Sequence, residues 1–204
     1  MAETNPCTRQ LILESAQRLF LHYGYKKTTI DDIAQEAGIG KGTVYLYFDG
    51  KEEILLTIAA EVKRSITARM RAIADSSATP EEKLRRMVLA SITAVHDAVN
   101  TTAHGVELVD ELLRPKIMQC GLEQKEAQYD LLAQVLAEGV KRGDFTVLND
   151  DTTVAARLLM LAMISFYPPY MTPCHGKAPC RGELEARAEL MMDFILHGIR
   201  PRPQ

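Results

Sequence analysis

From Lys41 to Phe48 the sequence KGTVYLYF sets donor groups and aromatic rings on a stretch that is too short and glycine-flanked for a core helix. Lys41, Thr43, Tyr45 and Tyr47 carry ammonium or hydroxyl donors, while Val44 and Phe48, four apart, share one face and can be held against a core. A short helix of this kind fits a DNA major groove about 12 Å wide, where small and hydrogen-bonding side chains meet base edges. Gly42 has no side chain and cannot read a base, which shifts specificity towards Lys41, Thr43 and Tyr45. Lys26, Lys27, Thr28 and Thr29 on one side, and Tyr47 and Lys51 on the other, are of the types that grip phosphates. Free backbone amides at the starts of the helices near Ile30 and Lys51 are expected to add phosphate contacts.

Other chemistry is weaker. No nucleophile and base stand at a useful spacing and no phosphate-cradling loop is present, so a helical-bundle enzyme is the least favoured class and no catalytic residue is named. Cys174, His175 and Cys180 in TPCHGKAPC are near enough to hold a soft metal or form a redox disulfide, which gives an alternative: a thiol- or metal-responsive regulator. Three ligands leave a structural zinc site incomplete, so the segment is expected to be a flexible loop. His104, Glu107 and Glu111 share a helix face but lack the paired Glu-x-x-His arrangement of a di-iron bundle, and read as solvated. Neither a metal nor a cofactor is expected.

Composition sets the frame for these motifs. The 204 residues are 47% hydrophobic and 25% charged, enough for a small module and a larger one. A net charge of −3 gives no global sign of nucleic-acid binding, and residues 1–50 hold five Lys and Arg against six Asp and Glu, so any such case rests on local placement. Four dispersed cysteines do not resemble a disulfide framework. The N-terminal MAETNPCTRQ lacks the order of a secretion signal, and no run approaches the roughly 20 apolar residues of a membrane span; a cytoplasmic protein without a membrane partner is expected.

The elements that must position the donors are all helical. Ile12, Ala16, Leu19, Phe20 and Tyr23 stripe a helix over 8–23 that stops at Gly24. Thr29 and Asp32 resemble a capping box for a helix of about two turns, and Gly38 is placed for the left-handed turn that ends it. The donor-bearing helix then starts near Gly40 or Lys41. Further helices are expected over 51–74, 80–100, 104–113, 116–142, 152–167 and 183–199, and no strand pattern competes. Helix, glycine turn and short polar helix together form the pattern of a helix-turn-helix.

At this point KKTTIDDIAQEAGIGKGTVYLYFDGKEEIL resembles the DNA-binding signature of the TetR family of transcriptional regulators (TetR/AcrR-like), over about residues 11–56. Tyr47 departs from it, standing where many members carry histidine. The resemblance implies an all-α fold: a three-helix head over 1–50 and a six-helix effector-binding and dimerisation body over 51–204. It also implies a double-stranded DNA operator, a homodimer, and an unknown small-molecule effector that releases a repressor. The DNA contacts are then Lys27, Thr28, Thr29, Lys41, Gly42, Thr43, Tyr45, Tyr47 and Lys51.

A lone half-site reader binds weakly, so such heads pair. The last two expected helices suit an interface, through Leu158, Leu159, Ala162 and Phe166 on one and Leu184, Ala188, Met191 and Ile195 on the other; the resemblance implies four helices there, two from each protomer. An effector pocket is expected among the helices from 51 to 142, lined by Met70, Met87, His96, His104, Val109, Leu113, Met118 and Tyr129.

Overall fold

The computed structural model describes residues 5–99, 104, 108, 122–168 and 179–200. The chain divides into two compact units, one of residues 1–62 and 98–121, the other of 63–97 and 122–204. Among the described residues the regular structure is helical: α1 (Pro6–Tyr23), α2 (Ile30–Glu36), α3 (Lys41–Tyr45), α4 (Lys51–Ala74), α5 (Pro80–Val99), α6 (Leu122–Arg142), α7 (Thr152–Ala162) and α8 (Arg181–Ile199). The helix expected over 104–113 lies outside the described residues apart from His104 and Leu108.

In the first unit, apolar residues of α1, α2, α3 and the start of α4 form one core. Ile12, Ala16, Phe20, Ile33, Val44 and Ile54 have no solvent exposure, and Leu108 joins them. α1 begins two residues earlier than its apolar stripe suggests, because Asn5 caps it through the Cys7 N–H and Pro6 occupies the first turn. α2 ends in a Schellman turn: the Ile39 N–H reaches back to the Ala34 carbonyl and the Gly38 N–H to that of Gln35. Gly38 takes φ +66° there, where a Cβ would be strained.

The second unit packs α5, α6, α7 and α8 around Leu84, Met87, Leu132, Leu136, Leu159 and Met192. Arg85 of α5 pairs with Glu189 and Asp193 of α8, and Arg200 just beyond α8 pairs with Glu81. The single helix expected over 152–167 is shorter. α7 stops at Ala162 and one 3-10 turn follows, Ile164–Phe166. Tyr167 must be extended ahead of Pro168, at φ −96° and ψ 148°, so the last turn tightens instead of continuing.

Candidate nucleic-acid interface

The donor-bearing helix is held from behind. Val44 is fully buried, and the backbone continues past α3 so that the Phe48 N–H bonds to the Val44 carbonyl, which keeps both side chains on the core side. On the opposite side Lys41, Gly42, Tyr45 and Leu46 are exposed and Thr43 is half-buried. Tyr45 is 50% and Leu46 65% exposed, large values for apolar or aromatic groups on a folded head. Leu46 was not among the residues expected from the sequence. The signal was present, since Leu46 lies between the two tyrosines and off the Val44–Phe48 face; exposed next to Tyr45, it can meet the methyl group of a thymine.

A Cβ built on Gly42 meets nothing within 4 Å, so that position is open space on the same surface. Lys41 Nζ donates to Asp31 Oδ2 at 2.7 Å, and this hydrogen bond raises the lysine's pKa. Both side chains are more than half exposed, so the pair is weak and a phosphate can replace the carboxylate. Tyr47 is half-buried; its oxygen accepts the Asn5 N–H at 2.8 Å, which leaves the phenolic proton for an outside acceptor.

The loop between α1 and α2 presents exposed Lys26 and Lys27. Three expectations around it need correction. Thr28 is 3% exposed and its hydroxyl donates to the Gly24 carbonyl at 2.9 Å, so it braces the loop and has no free hydroxyl for a phosphate. Thr29 is exposed, but its hydroxyl and N–H both donate to Asp32 Oδ2, at 2.7 and 2.8 Å, closing the capping box. Those bonds, the hydroxyl first, lower the Asp32 pKa. Lys51 turns inward, its ammonium 2.6 Å from the Tyr25 carbonyl and 2.9 Å from that of Thr28.

The helix starts themselves are acidic. Asp31 and Asp32 fill the first turn of α2, and Glu52 and Glu53 that of α4, where Glu53 Oε2 already accepts the Asp49 N–H. Carboxylates at these positions favour the positive end of their own helix and make it less attractive to a second anion. What remains open is the α3 surface of Lys41, Gly42, Thr43, Tyr45 and Leu46, flanked by Lys27 and Tyr47.

The sequence model described as bacterial regulatory proteins of the tetR family matches residues 12–58, which span this head. The transcriptional repressor KstR2 of Mycobacterium tuberculosis is 31% identical over 156 residues, covering 72% of this chain and 78% of that protein. The chain belongs to the TetR family. It is a DNA-binding transcriptional regulator and not an enzyme. Among solved structures, a TetR/AcrR regulator from Thermobifida fusca superposes with a TM-score of 0.74 at 25% identity, over 95% of this chain and 98% of that one. FadR of Bacillus subtilis in complex with stearoyl-CoA has the same fold, with a TM-score of 0.71 at 23% identity over 94% and 99%.

The second unit differs from the sequence reading in detail. Met70 and Met87 are fully buried core. His96 Nε2 donates to the Pro179 carbonyl at 3.1 Å, and the Tyr129 ring lies 5.0 Å beneath the Arg157 guanidinium. His104 is half-buried and belongs to the first unit, while Val109, Leu113 and Met118 lie outside the described residues. An apolar hollow of about 280 Å³, open to solvent where Val154 and Leu158 are exposed, lies among Leu84, Leu136, Val154, Leu158, Met192 and Ile195, and its other lining side chains are also apolar.

The interface residues divide as well. Leu159, Phe166, Leu184 and Ala188 are buried within the protomer, Met191 and Ile195 are half-buried, and Leu158 and Ala162 are exposed. Leu184, Ala188, Met192 and Leu196 recur every fourth residue and fill the inner face of α8; the outer face shows Leu190 and Phe194, the latter 77% exposed. Leu158, Leu161 and Ile164 are exposed along α7 and the turn after it. Cys174 and His175 lie outside the described residues, and Cys180 is an exposed free thiol. Among the described residues no helix is long and apolar enough to cross a membrane.

Proposed function

We propose that the protein is a repressor that binds a palindromic operator as a homodimer and is released by a small, largely apolar molecule. The observation that carries this reading is the α3 surface, locked from behind by Val44 and Phe48 while Thr43, Tyr45 and Leu46 stand open. Lys41, Gly42, Thr43, Tyr45 and Leu46 enter the major groove, and Lys27 and Tyr47 hold phosphates beside it. Two-fold pairing joins copies through the exposed leucines of α7 and Leu190 and Phe194 of α8, an apolar strip of the kind that marks an interaction site. This places two heads on half-sites one helical turn, roughly 34 to 36 Å, or a multiple of it apart.

The apolar hollow, whose rim residue Leu158 also borders the pairing strip, supports an effector with a substantial hydrocarbon part, as does the likeness to a FadR structure that holds stearoyl-CoA. Such a molecule releases DNA only if it binds the DNA-incompetent form better, with α4, whose sequence is shared by both units, carrying the change. Titrating DNA from upstream of the protein's own coding region with apolar acyl and steroid compounds tests this. A dose-dependent release is expected, and a complex indifferent to every such compound while remaining specific would contradict the effector class.

A further inference from the structure

We propose that Lys51 acts on DNA binding through the α1–α2 loop, as a positioning residue whose ammonium holds the loop in place, and not as a phosphate ligand. Lys51 is the first residue of α4, yet its Nζ lies 2.6 Å from the Tyr25 carbonyl, 2.9 Å from that of Thr28 and 3.5 Å from that of Lys26. The same ammonium sits 4.3 Å from the centre of the Tyr25 ring, and that ring packs edge-on against Phe20 in the core of the head. A lysine ammonium has three N–H donors, and here main-chain carbonyls of one loop converge on them.

The ends of the loop are tied to each other. Gly24 leaves α1 at φ +89°, and the Thr28 N–H and hydroxyl both return to the Gly24 carbonyl. Remove the ammonium, and the carbonyls of Tyr25 and Thr28 lose their cation together. What the loop carries is the exposed pair Lys26 and Lys27 and, at its end, Thr29, the N-cap of α2. Lys51 therefore sets where Lys27 stands and the angle at which α2, and with it the turn into α3, leaves the loop. A phosphate could claim the ammonium only by taking it from these carbonyls. The shape of the group matters: a planar guanidinium cannot aim at three carbonyls converging on one point, although it binds phosphate at least as well as an ammonium does.

The consequence for DNA rests on the DNA-binding reading above, whereas the hold on the loop can be read in the free protein. Hydrogen exchange of the full chain without DNA is the first measurement. With Lys51→Met the amides of Thr28 and Thr29 should exchange about tenfold faster or more while those of α6 and α8 keep their rates; unchanged loop rates would overturn the proposal. If the methionine variant does not fold, Lys51→Arg carries the same test, with faster loop exchange expected and unchanged exchange contradicting it.

DNA binding then separates the roles. Lys51→Arg should weaken binding along with Lys51→Met, whereas full affinity in the arginine variant would make the residue a phosphate ligand. Lys27→Gln should cost at least about threefold less in the Lys51→Met background than in the original, because its lysine is no longer aimed. Additive losses, with a salt slope lower by about 0.9 for Lys51→Met alone, would also assign Lys51 to a phosphate. A wild-type protein that bound no DNA at all would overturn the functional reading, and the exchange result would still decide whether Lys51 holds the loop.

Discussion

At residue scale the α3 surface makes opposite demands on fold and function at one position. Gly42 weakens a five-residue helix by its backbone freedom, and its missing Cβ faces open space. Gly42→Ala should therefore stabilise the free head by about 0.5–1 kcal/mol and yet weaken operator binding several-fold, because a methyl group projects towards the groove; melting curves beside DNA titrations measure both. Thr43→Ala should lower discrimination among base pairs by about 1–3 kcal/mol, whereas Lys27→Gln should weaken all DNA alike and reduce the salt slope by about 0.9. The sequence shows which donor types stand near α3, because type and spacing are local properties. It does not show their partners. Thr28 and Lys51 look like phosphate donors until the fold turns both onto carbonyls, a result of Gly24 bending the chain that no period in the sequence records.

At the scale of elements, helices with a clear apolar stripe and a cap were legible nearly to the residue, as Thr29 and Gly38 show for α2. Ends governed by proline were less so, because Pro168 acts backward through Tyr167 and breaks an expected helix into α7 and a 3-10 turn. That turn brings the Tyr167 hydroxyl onto Ser91 at 2.7 Å, and burial of the hydroxyl pushes its pKa up to about 12. In the unfolded chain tyrosine ionises near 10, so the contribution is complete below that pH and is lost as pH rises from about 10 towards 12. Tyr167→Phe should remove this alkaline loss, at most about 3 kcal/mol, in melting curves collected across that window. In α6 a Cβ at Gly139 would run into the Phe145 ring. Gly139→Ala should accordingly destabilise the second unit by about 1–3 kcal/mol, the opposite sign to Gly42→Ala.

For the whole molecule, the sequence indicated that the last two helices carry more apolar surface than one core needs, but not which side faces out. The fourfold spacing from Leu184 to Leu196 serves the protomer's own core, which leaves Leu190 and Phe194 exposed on the outer face, where the proposed pairing would cover them. Phe194→Glu should turn a dimer into a monomer in sedimentation experiments without lowering the protomer's helix content, since the ring is so exposed. The loss of pairing should cost DNA affinity far more than any single α3 substitution, because each head alone reads one half-site. The most direct test of the account is fluorescence anisotropy of the full-length protein on DNA from upstream of its own coding region, against scrambled DNA, across a salt series. The account predicts binding that prefers a two-fold symmetric site and weakens steeply with salt. Equal binding to both DNAs, or none at the lowest salt, would contradict it.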